Sequence, residues 1–130
     1  MLNIFSQTKK DEYIKQSLKC KKCNDILKVD LAQNLPLKES SAISLGFHIS
    51  RHGVTENELI NLFTPYCTIK KENSNIYLNC KWCNHQVAFN SKKINIMKVY
   101  EVITHATTHL SILDQCDMSD KFLGTYFIIL

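Results

Sequence analysis

The chain has 130 residues and a mass of 15.0 kDa, and its 16 Lys and Arg against 12 Asp and Glu give a formal net charge of +4. This length suits one ordinary domain, or two very small ones that need additional stabilisation. No stretch approaches the roughly 18 uninterrupted apolar residues of a membrane span, and the first ten residues lack an apolar export signal. The sequence therefore predicts a soluble, unexported protein without membrane contact.

The first half of the chain predicts a cysteine pair followed by a helix that carries two histidines. Cys20 and Cys23 are separated by two residues, and the helix is predicted over residues 39–52. A serine is available to cap its start, and a glycine directly follows its last turn. His48 and His52 fall in the final turns of this helix.

The middle of the chain predicts a short helix and a hairpin. Thr55 is followed three residues later by Glu58, a capping box that starts an apolar helix ended by Pro65. Its apolar side chains are expected to pack between the two halves of the protein. Residues 66–80 place two apolar stretches around an Asn-Ser-Asn turn, which predicts a β-hairpin.

The second half repeats the arrangement of the first. Cys80 and Cys83 follow the hairpin, and a single helix is predicted from about residue 95 to residue 113, with His105 and His109 on one side. An acidic segment and an apolar end, Gly-Thr-Tyr-Phe-Ile-Ile-Leu, complete the chain. Such an end is expected to pair with a sheet, to meet a partner, or to mark a cut in a longer protein.

The two halves align as an internal duplication of one supersecondary unit. Each reads Cys-x2-Cys, a gap of 24 or 21 residues, and His-x3-His. The agreement extends to apolar neighbours, because Leu18 and Leu78 lie two residues before the first cysteine of each half. Leu45 and Val102 precede the first histidine by three residues, so they share its helical face and are expected to point toward a small core.

Each half supplies two thiolates and two imidazoles that can converge on one tetrahedral zinc ion. A Cys-x2-Cys turn aims both sulfurs at one point, and histidines four positions apart project from adjacent helical turns. Four protein ligands leave no open position for water or substrate, so two structural zinc ions are predicted, with neither enzymatic activity nor a small-molecule substrate. The predicted ligands are Cys20, Cys23, His48 and His52 in the first site, and Cys80, Cys83, His105 and His109 in the second.

Three alternatives remain open for the cysteines: a single all-cysteine site built from both pairs, disulfide bonds, or coincidence. The lack of an export signal favours reduced thiols, and reduced cysteine pairs more often bind metal. Cys67, Cys116 and His85 fall outside the pattern and are assigned no role. Metal binding would also supply the additional stabilisation that two very small domains need, because it contributes about 10–16 kcal/mol of apparent free energy to the folding of a small finger.

The predicted fold class is α+β, with two small zinc fingers packed into one compact unit through a short linking helix. The predicted segments are a first zinc finger at 1–53, the linking helix at 54–65, a second zinc finger at 66–113, and an acidic then apolar tail at 114–130.

The chain resembles the zinc fingers that use two cysteines and two histidines, most closely the BED type. The shared features are an aromatic-containing strand before Cys-x2-Cys, a long variable gap, an apolar residue three before the first histidine, and a closing histidine pair. They span Tyr13 to His52 and Tyr66 to His109. The resemblance implies a ββα-like unit that binds DNA, as in chromatin-boundary proteins, transcription factors and transposase-derived proteins, and hence a nuclear location.

Basic residues gather around both cysteine pairs. Residues 9–28 contain seven Lys against three acids, and residues 67–98 contain six Lys against Glu72 alone. This layout favours phosphate contact, so DNA is the predicted partner and RNA the second nucleic acid. The candidate contacts, including three base-reading positions on the second helix, are Lys21, Lys22, Arg51, Lys81, Lys92, Lys93, Lys98, Glu101 and Thr104.

The first helix is the poorer reader of bases. Its equivalent positions are Ser41, Ser44 and Phe47, and the chain has a single arginine, the residue that makes the commonest specific guanine contact. The rival prediction is therefore a zinc-stabilised protein-interaction module that uses Phe47, the 56–63 helix and the 124–130 tail. A steep salt dependence would distinguish phosphate binding from an apolar protein contact.

Overall fold

A computed structural model describes residues 12–130 and shows an α+β fold, which confirms the predicted class. The strands of the described residues are β1 (Ile14–Cys20), β2 (Ile26–Leu31), β3 (Cys67–Glu72), β4 (Asn75–Cys80), β5 (Gln86–Asn90) and β6 (Phe127–Ile129). The helices are α1 (Glu39–Ser50), α2 (Glu56–Phe63), α3 (Ile96–Thr107) and α4 (Ile112–Tyr126). None of these helices is long and apolar enough for a membrane crossing.

The described residues divide into two compact units. The first consists of residues 12–43 and 111–130, and the second of residues 44–110, so the division falls within α1. Each unit contains one three-stranded sheet. The predicted packing of both fingers around the linking helix stays a prediction.

The sheet of the first unit has the strand order β2-β1-β6, and both pairings are antiparallel. β1 and β2 form a hairpin around the first cysteine pair. On the other edge of β1, Leu18 lies opposite Ile129 and Cys20 lies opposite Phe127. Of the three outcomes open for the apolar end, pairing with a sheet is the one observed.

The sheet of the second unit has the strand order β3-β4-β5, again fully antiparallel. The hairpin predicted over residues 66–80 is confirmed as β3 and β4. Its turn includes Asn73 at φ +54°, in the left-handed region that asparagine tolerates better than most residues. The cysteine turn then connects β4 to β5.

The capping box predicted for α2 is also confirmed. The Glu58 amide donates to the Thr55 hydroxyl oxygen at 3.2 Å, and the Thr55 amide donates to the Glu58 carboxylate at 2.9 Å. The reciprocal bonds satisfy two amides that would otherwise lack partners at the helix start. The helix buries an apolar face made of Leu59, Leu62 and Phe63.

The prediction of one helix over residues 95–113 followed by an acidic tail is wrong. α3 ends at Thr107, a turn follows, and a 15-residue helix begins at Ile112. Ser111 caps this helix: its hydroxyl accepts from the Asp114 amide at 3.2 Å and donates to the Asp114 carboxylate at 3.0 Å. The acids of the supposed tail lie among buried apolar positions of α4, namely Met118, Phe122, Leu123 and Tyr126.

The duplication includes a helix and a strand beyond the cysteine and histidine pattern. α2 leads into β3, which pairs with β4, and α4 leads in the same way into β6, which pairs with β1. The Lys81 amide donates to the Tyr66 carbonyl at 3.2 Å, and the Lys21 amide donates to the Tyr126 carbonyl at 3.0 Å. The strand that completes the first sheet therefore comes from the distant segment 127–129.

Candidate metal centres

The first cluster brings all four predicted ligands together. The cluster consists of Cys20, Cys23, His48 and His52, whose candidate ligand atoms lie within 4.8 Å of one another. Cys20 ends β1, and its amide donates to the Asp25 carbonyl at 2.8 Å, while the Asn24 amide donates to the Cys20 carbonyl at 2.9 Å. Asn24 has φ +65°, a left-handed conformation that reverses the chain within the cysteine turn.

The second cluster has the same composition and is more exposed. Its members Cys80, Cys83, His105 and His109 also place their candidate ligand atoms within 4.8 Å of one another. Cys80 ends β4, and its amide donates to the His85 carbonyl at 2.9 Å. The Trp82 amide lies 3.5 Å from the Cys80 sulfur, and the Cys83 sulfur lies 3.1 Å from His105 Nε2.

The histidine pairs of the two clusters share one backbone plan. In each, the second histidine lies beyond the helix end, in a turn tightened by a bond to the residue three positions earlier. The His52 amide donates to the Ile49 carbonyl and the His109 amide to the Ala106 carbonyl, both at 3.0 Å. The ring centroids are 5.2 Å apart in the first pair and 5.1 Å apart in the second, with interplanar angles of 66° and 67°.

The donor atoms of both clusters fit zinc. Bonds of about 2.3 Å to sulfur and about 2.0–2.1 Å to nitrogen separate the donors of a tetrahedral site by about 3.3–3.8 Å. The observed spacings are close enough for small side-chain rotations to reach that geometry, and thiolate with imidazole is a donor set that zinc prefers. The structure is therefore consistent with two zinc ions per chain.

The alternatives left open for the cysteines find no support. All six cysteines are free thiols, and each Cys-x2-Cys pair clusters with its own histidine pair rather than with the other Cys-x2-Cys pair. These positions match the two predicted ligand sets residue by residue.

Local electrostatics favour the metal-binding forms of Cys20 and His105 but not of Cys23. The Asp25 amide lowers the pKa of the Cys23 thiol, but burial and the hydrogen bonds with Cys20 and Asp25 outweigh it and raise that pKa. Burial tends to raise the pKa of the Cys20 thiol, but hydrogen bonds from the Cys23 and Lys22 amides outweigh it and hold that pKa below its ordinary value. Burial and the neighbouring His85 and His109 lower the pKa of His105, against an opposing contribution from Glu101. Thiolate and neutral imidazole are the forms that bind zinc.

Sequence reasoning missed two side chains that support the second cluster. The His85 ring stacks on His105 with centroids 4.0 Å apart, and its Nε2 lies 3.6 Å from the Glu101 carboxylate. The Trp82 indole stacks on His109 with centroids 5.5 Å apart and an interplanar angle of 24°. Their proximity to Cys83 in sequence was the one available signal, and it did not specify stacking.

Neither of the two remaining cysteines belongs to a candidate metal cluster among residues 12–130. Burial, with a contribution from Cys80, raises the pKa of Cys67 to about 11. Burial and the nearby carboxylates of Asp120 and Asp117 raise the pKa of Cys116. Both residues therefore keep their protons at neutral pH.

We expect thiol alkylation to show that bound metal protects the four cluster cysteines. In the metal-loaded protein at neutral pH, iodoacetamide should leave the four cluster cysteines unmodified, because a metal-bound thiolate is a poor nucleophile. Chelation should then make all four reactive, and Cys67 should react as well, because loss of zinc unfolds the sheet whose burial protects it and raises its pKa to about 11. Peptide mass spectrometry measures this pattern, and cluster cysteines equally reactive before and after chelation would contradict it.

The candidate nucleic-acid contacts of the second unit lie at the two ends of its sheet. Lys81 is exposed in the cysteine turn, whereas Lys92 and Lys93 are exposed between β5 and α3. The five residues of β5 separate these ends by about 16 Å. On α3, Lys98, Glu101 and Thr104 are exposed at intervals of three residues.

Several of these side chains already have partners within the protein. The Lys98 ammonium donates to the Ala88 carbonyl at 3.0 Å, and the Thr104 hydroxyl donates to the Tyr100 carbonyl. In the first half, the Lys21 ammonium donates to the Gly124 carbonyl. Lys22 and Arg51 are exposed.

One proposed reader of the first helix is inaccessible. Ser41 is 4% exposed, and its hydroxyl donates to the Asp30 carbonyl at 3.2 Å, so it cannot reach a base. Ser44 and Phe47 are exposed. The weaker reading capacity predicted for this helix is thus reduced further.

Together, these features define a small α+β protein with two repeated clusters of two cysteines and two histidines, each of which could hold a metal ion. No protein-family model, curated protein or solved structure matches the chain. The likeness to BED-type fingers accordingly rests on the motif.

Proposed function

We propose that the chain is a zinc-dependent nucleic-acid-binding protein of the nucleus, with tandem ββα-like fingers similar to the BED type. DNA is the proposed ligand, in chromatin or transcriptional regulation. Because each site offers four protein ligands, both zinc ions are assigned a structural role and no catalysis is proposed. The observation that carries the proposal is the distribution of charge on the second unit.

Three of the four acidic residues of the second unit, Glu56, Glu58 and Glu72, precede the segment that carries its candidate lysines. Glu56 pairs with Lys71, and Glu72 lies 3.8 Å from Lys70. The sequence has no acid between Glu72 and Glu101. This interval contributes four lysines, which are Lys81, Lys92, Lys93 and Lys98.

Zinc would leave this positive charge unchanged, since two thiolates balance the ion at each site. The amino-terminal end of α3 adds to it. Asn95 caps this helix by accepting from the Met97 amide at 2.8 Å, and Lys92 and Lys93 lie three and two residues before the cap. The positive end of the helix dipole and two ammonium groups therefore lie near each other in sequence, an arrangement suited to phosphate.

The Lys92→Ala, Lys93→Ala double variant is expected to weaken DNA binding while it keeps the fold. At about 0.15 M salt we expect affinity to fall about tenfold or more, and the slope of log K against log salt to become shallower by about 2. Fluorescence anisotropy with labelled duplex DNA across a salt series measures both quantities.

The matched control is the Lys70→Ala, Lys71→Ala double variant, which removes the same charge from residues that already have carboxylate partners. It is expected to bind with nearly the wild-type affinity. Equal losses of affinity in the two double variants would show that Lys92 and Lys93 act only through the net charge of the protein. If the Lys92, Lys93 variant binds as the wild type does, these residues lie outside the interface.

A zinc-stabilised protein-interaction module is the second candidate, because Phe47 is 67% exposed on α1. The other two surfaces suggested for this role are less suitable. The apolar side of the 56–63 helix is largely buried, and the 124–130 segment is partly used by the pairing of β6 with β1. Salt-insensitive binding to a protein, with no retention of DNA or RNA, would favour this candidate.

A further inference from the structure

The second cysteine turn exposes the single tryptophan of the chain. Trp82 is 48% exposed although tryptophan is a residue that folding usually covers. One side of its indole stacks on His109, a predicted zinc ligand. The exposed area of Trp82 therefore lies on the rest of the ring. The result is an aromatic surface presented outward from the metal centre.

The backbone around Trp82 is held on both sides. The Lys81 amide donates to the Tyr66 carbonyl at 3.2 Å, and the Trp82 amide lies 3.5 Å from the Cys80 sulfur. Together with the stack on His109, these contacts restrict the indole before any ligand binds. A fixed ring loses little conformational entropy on binding, which favours its use as a binding surface.

The chemistry around the ring favours a nucleic acid over an apolar partner. Lys81 and Asn84 are exposed on the same cysteine turn, and no acid occurs in sequence between Glu72 and Glu101. The Glu101 carboxylate does approach this turn, but it lies 3.6 Å from the His85 ring and is paired with it. An aromatic face beside ammonium groups is the combination that binds single strands, because bases stack on the ring while phosphates meet the cations.

We propose that Trp82 is a stacking platform for an unpaired nucleobase, and that Lys81 contacts an adjacent phosphate. The proposal rests on the proposed nucleic-acid binding, and it specifies that part of the bound nucleic acid is single-stranded. The about 16 Å between this end of β5 and Lys92 corresponds to about five nucleotides of a stacked strand. The first cysteine turn has Lys22 at the position of Trp82, so the platform belongs to the second unit alone.

The test is a fluorescence titration of the zinc-loaded full chain. Trp82 is the only tryptophan, so its emission reports directly on stacking. The probes are oligothymidine, oligouridine and a duplex, each of about 12 nucleotides or base pairs, within the range of single-strand site sizes. We expect the single strands to quench the emission and the duplex to leave it nearly unchanged, and the stronger of the two single strands identifies DNA or RNA as the source.

The variants use anisotropy of the labelled single strands. Trp82→Ala should weaken binding by about 5- to 150-fold, the range for loss of one stacked base, and Trp82→Phe should recover most of the affinity. Phe47→Ala removes another exposed aromatic ring and should bind as the wild type does. Native mass spectrometry checks that each variant keeps its zinc.

The outcomes separate the stacking proposal from the proposed function. Binding without quenching, unchanged in Trp82→Ala, overturns stacking and leaves nucleic-acid binding in place. No binding to any probe overturns both. If Trp82→Ala loses zinc, the proposal is tested by the quenching of the wild-type emission and by the affinity of Trp82→Phe. A wild-type protein that binds without quenching again overturns the proposal.

Discussion

Replacing His105 with alanine is expected to lower the zinc content from two ions per chain to one and to unfold the β3-β4-β5 sheet together with α3. The change removes one of four ligands from the second cluster and leaves two thiolates with one imidazole. Structural zinc supplies about 10–16 kcal/mol of apparent free energy, comparable to the about 5–15 kcal/mol of net stability of a typical domain. Native mass spectrometry measures the zinc content, and circular dichroism with thermal unfolding measures the loss of structure.

His85→Ala is the matched control, because His85 stacks on His105 but lies outside the ligand cluster. This variant should keep two zinc ions and lose no more than about 1 kcal/mol of stability, the size of a single aromatic contact. A folded His105→Ala protein with two zinc ions would show that His105 is not a ligand. If only His85→Ala loses a zinc ion, His85 is the ligand and the assignment of His105 is wrong.

Removal of residues 111–130 is expected to unfold the first unit and to leave one zinc ion, held by the second unit. The truncation deletes β6, and with it the pairing along β1. It also deletes five buried side chains, Met118, Phe122, Leu123, Tyr126 and Phe127. At about 1.5–3 kcal/mol for each, their burial contributes about 8–15 kcal/mol, as much as the stability of a whole domain. Zinc content and hydrogen exchange on β1 and β4 measure the effect separately for each sheet.

A pair of point variants tests the same contact without shortening the chain. Phe127→Ala removes a side chain that is 3% exposed and should lower the unfolding free energy by about 3–5 kcal/mol. Ile128→Ala changes the next residue of the same strand, which is 47% exposed, and should cost less than about 1 kcal/mol. A truncated chain that keeps two zinc ions and a protected β1 would contradict the role assigned to residues 112–129.

The features predicted correctly from sequence have local signatures. The clustering of four cysteines and four histidines follows from two spacings, Cys-x2-Cys and His-x3-His, that repeat in register. The capping box of α2 requires only Thr55 and Glu58, three residues apart. The β3-β4 hairpin is likewise defined by two apolar stretches around a short polar turn.

The features that sequence did not provide depend on distant contacts or on obscured patterns. The acids Asp114, Asp117 and Asp120 suggested a tail and hid the apolar spacing of α4, although Ser111 with Asp114 is a recognisable helix cap. β6 has three residues, and its partner β1 lies near the other end of the sequence, so no local signal specifies their pairing. The stacking of Trp82 on His109 likewise exists only after the chain folds.

Native mass spectrometry of the zinc-reconstituted full chain gives the most direct test of the two metal centres. The expected mass is that of the chain plus two zinc ions less the four thiol protons displaced at the two clusters. A mass that shows one zinc ion per chain would contradict the two-site architecture. A zinc-free chain that is lighter by the hydrogen atoms lost from thiols in forming two disulfide bonds would contradict metal binding altogether.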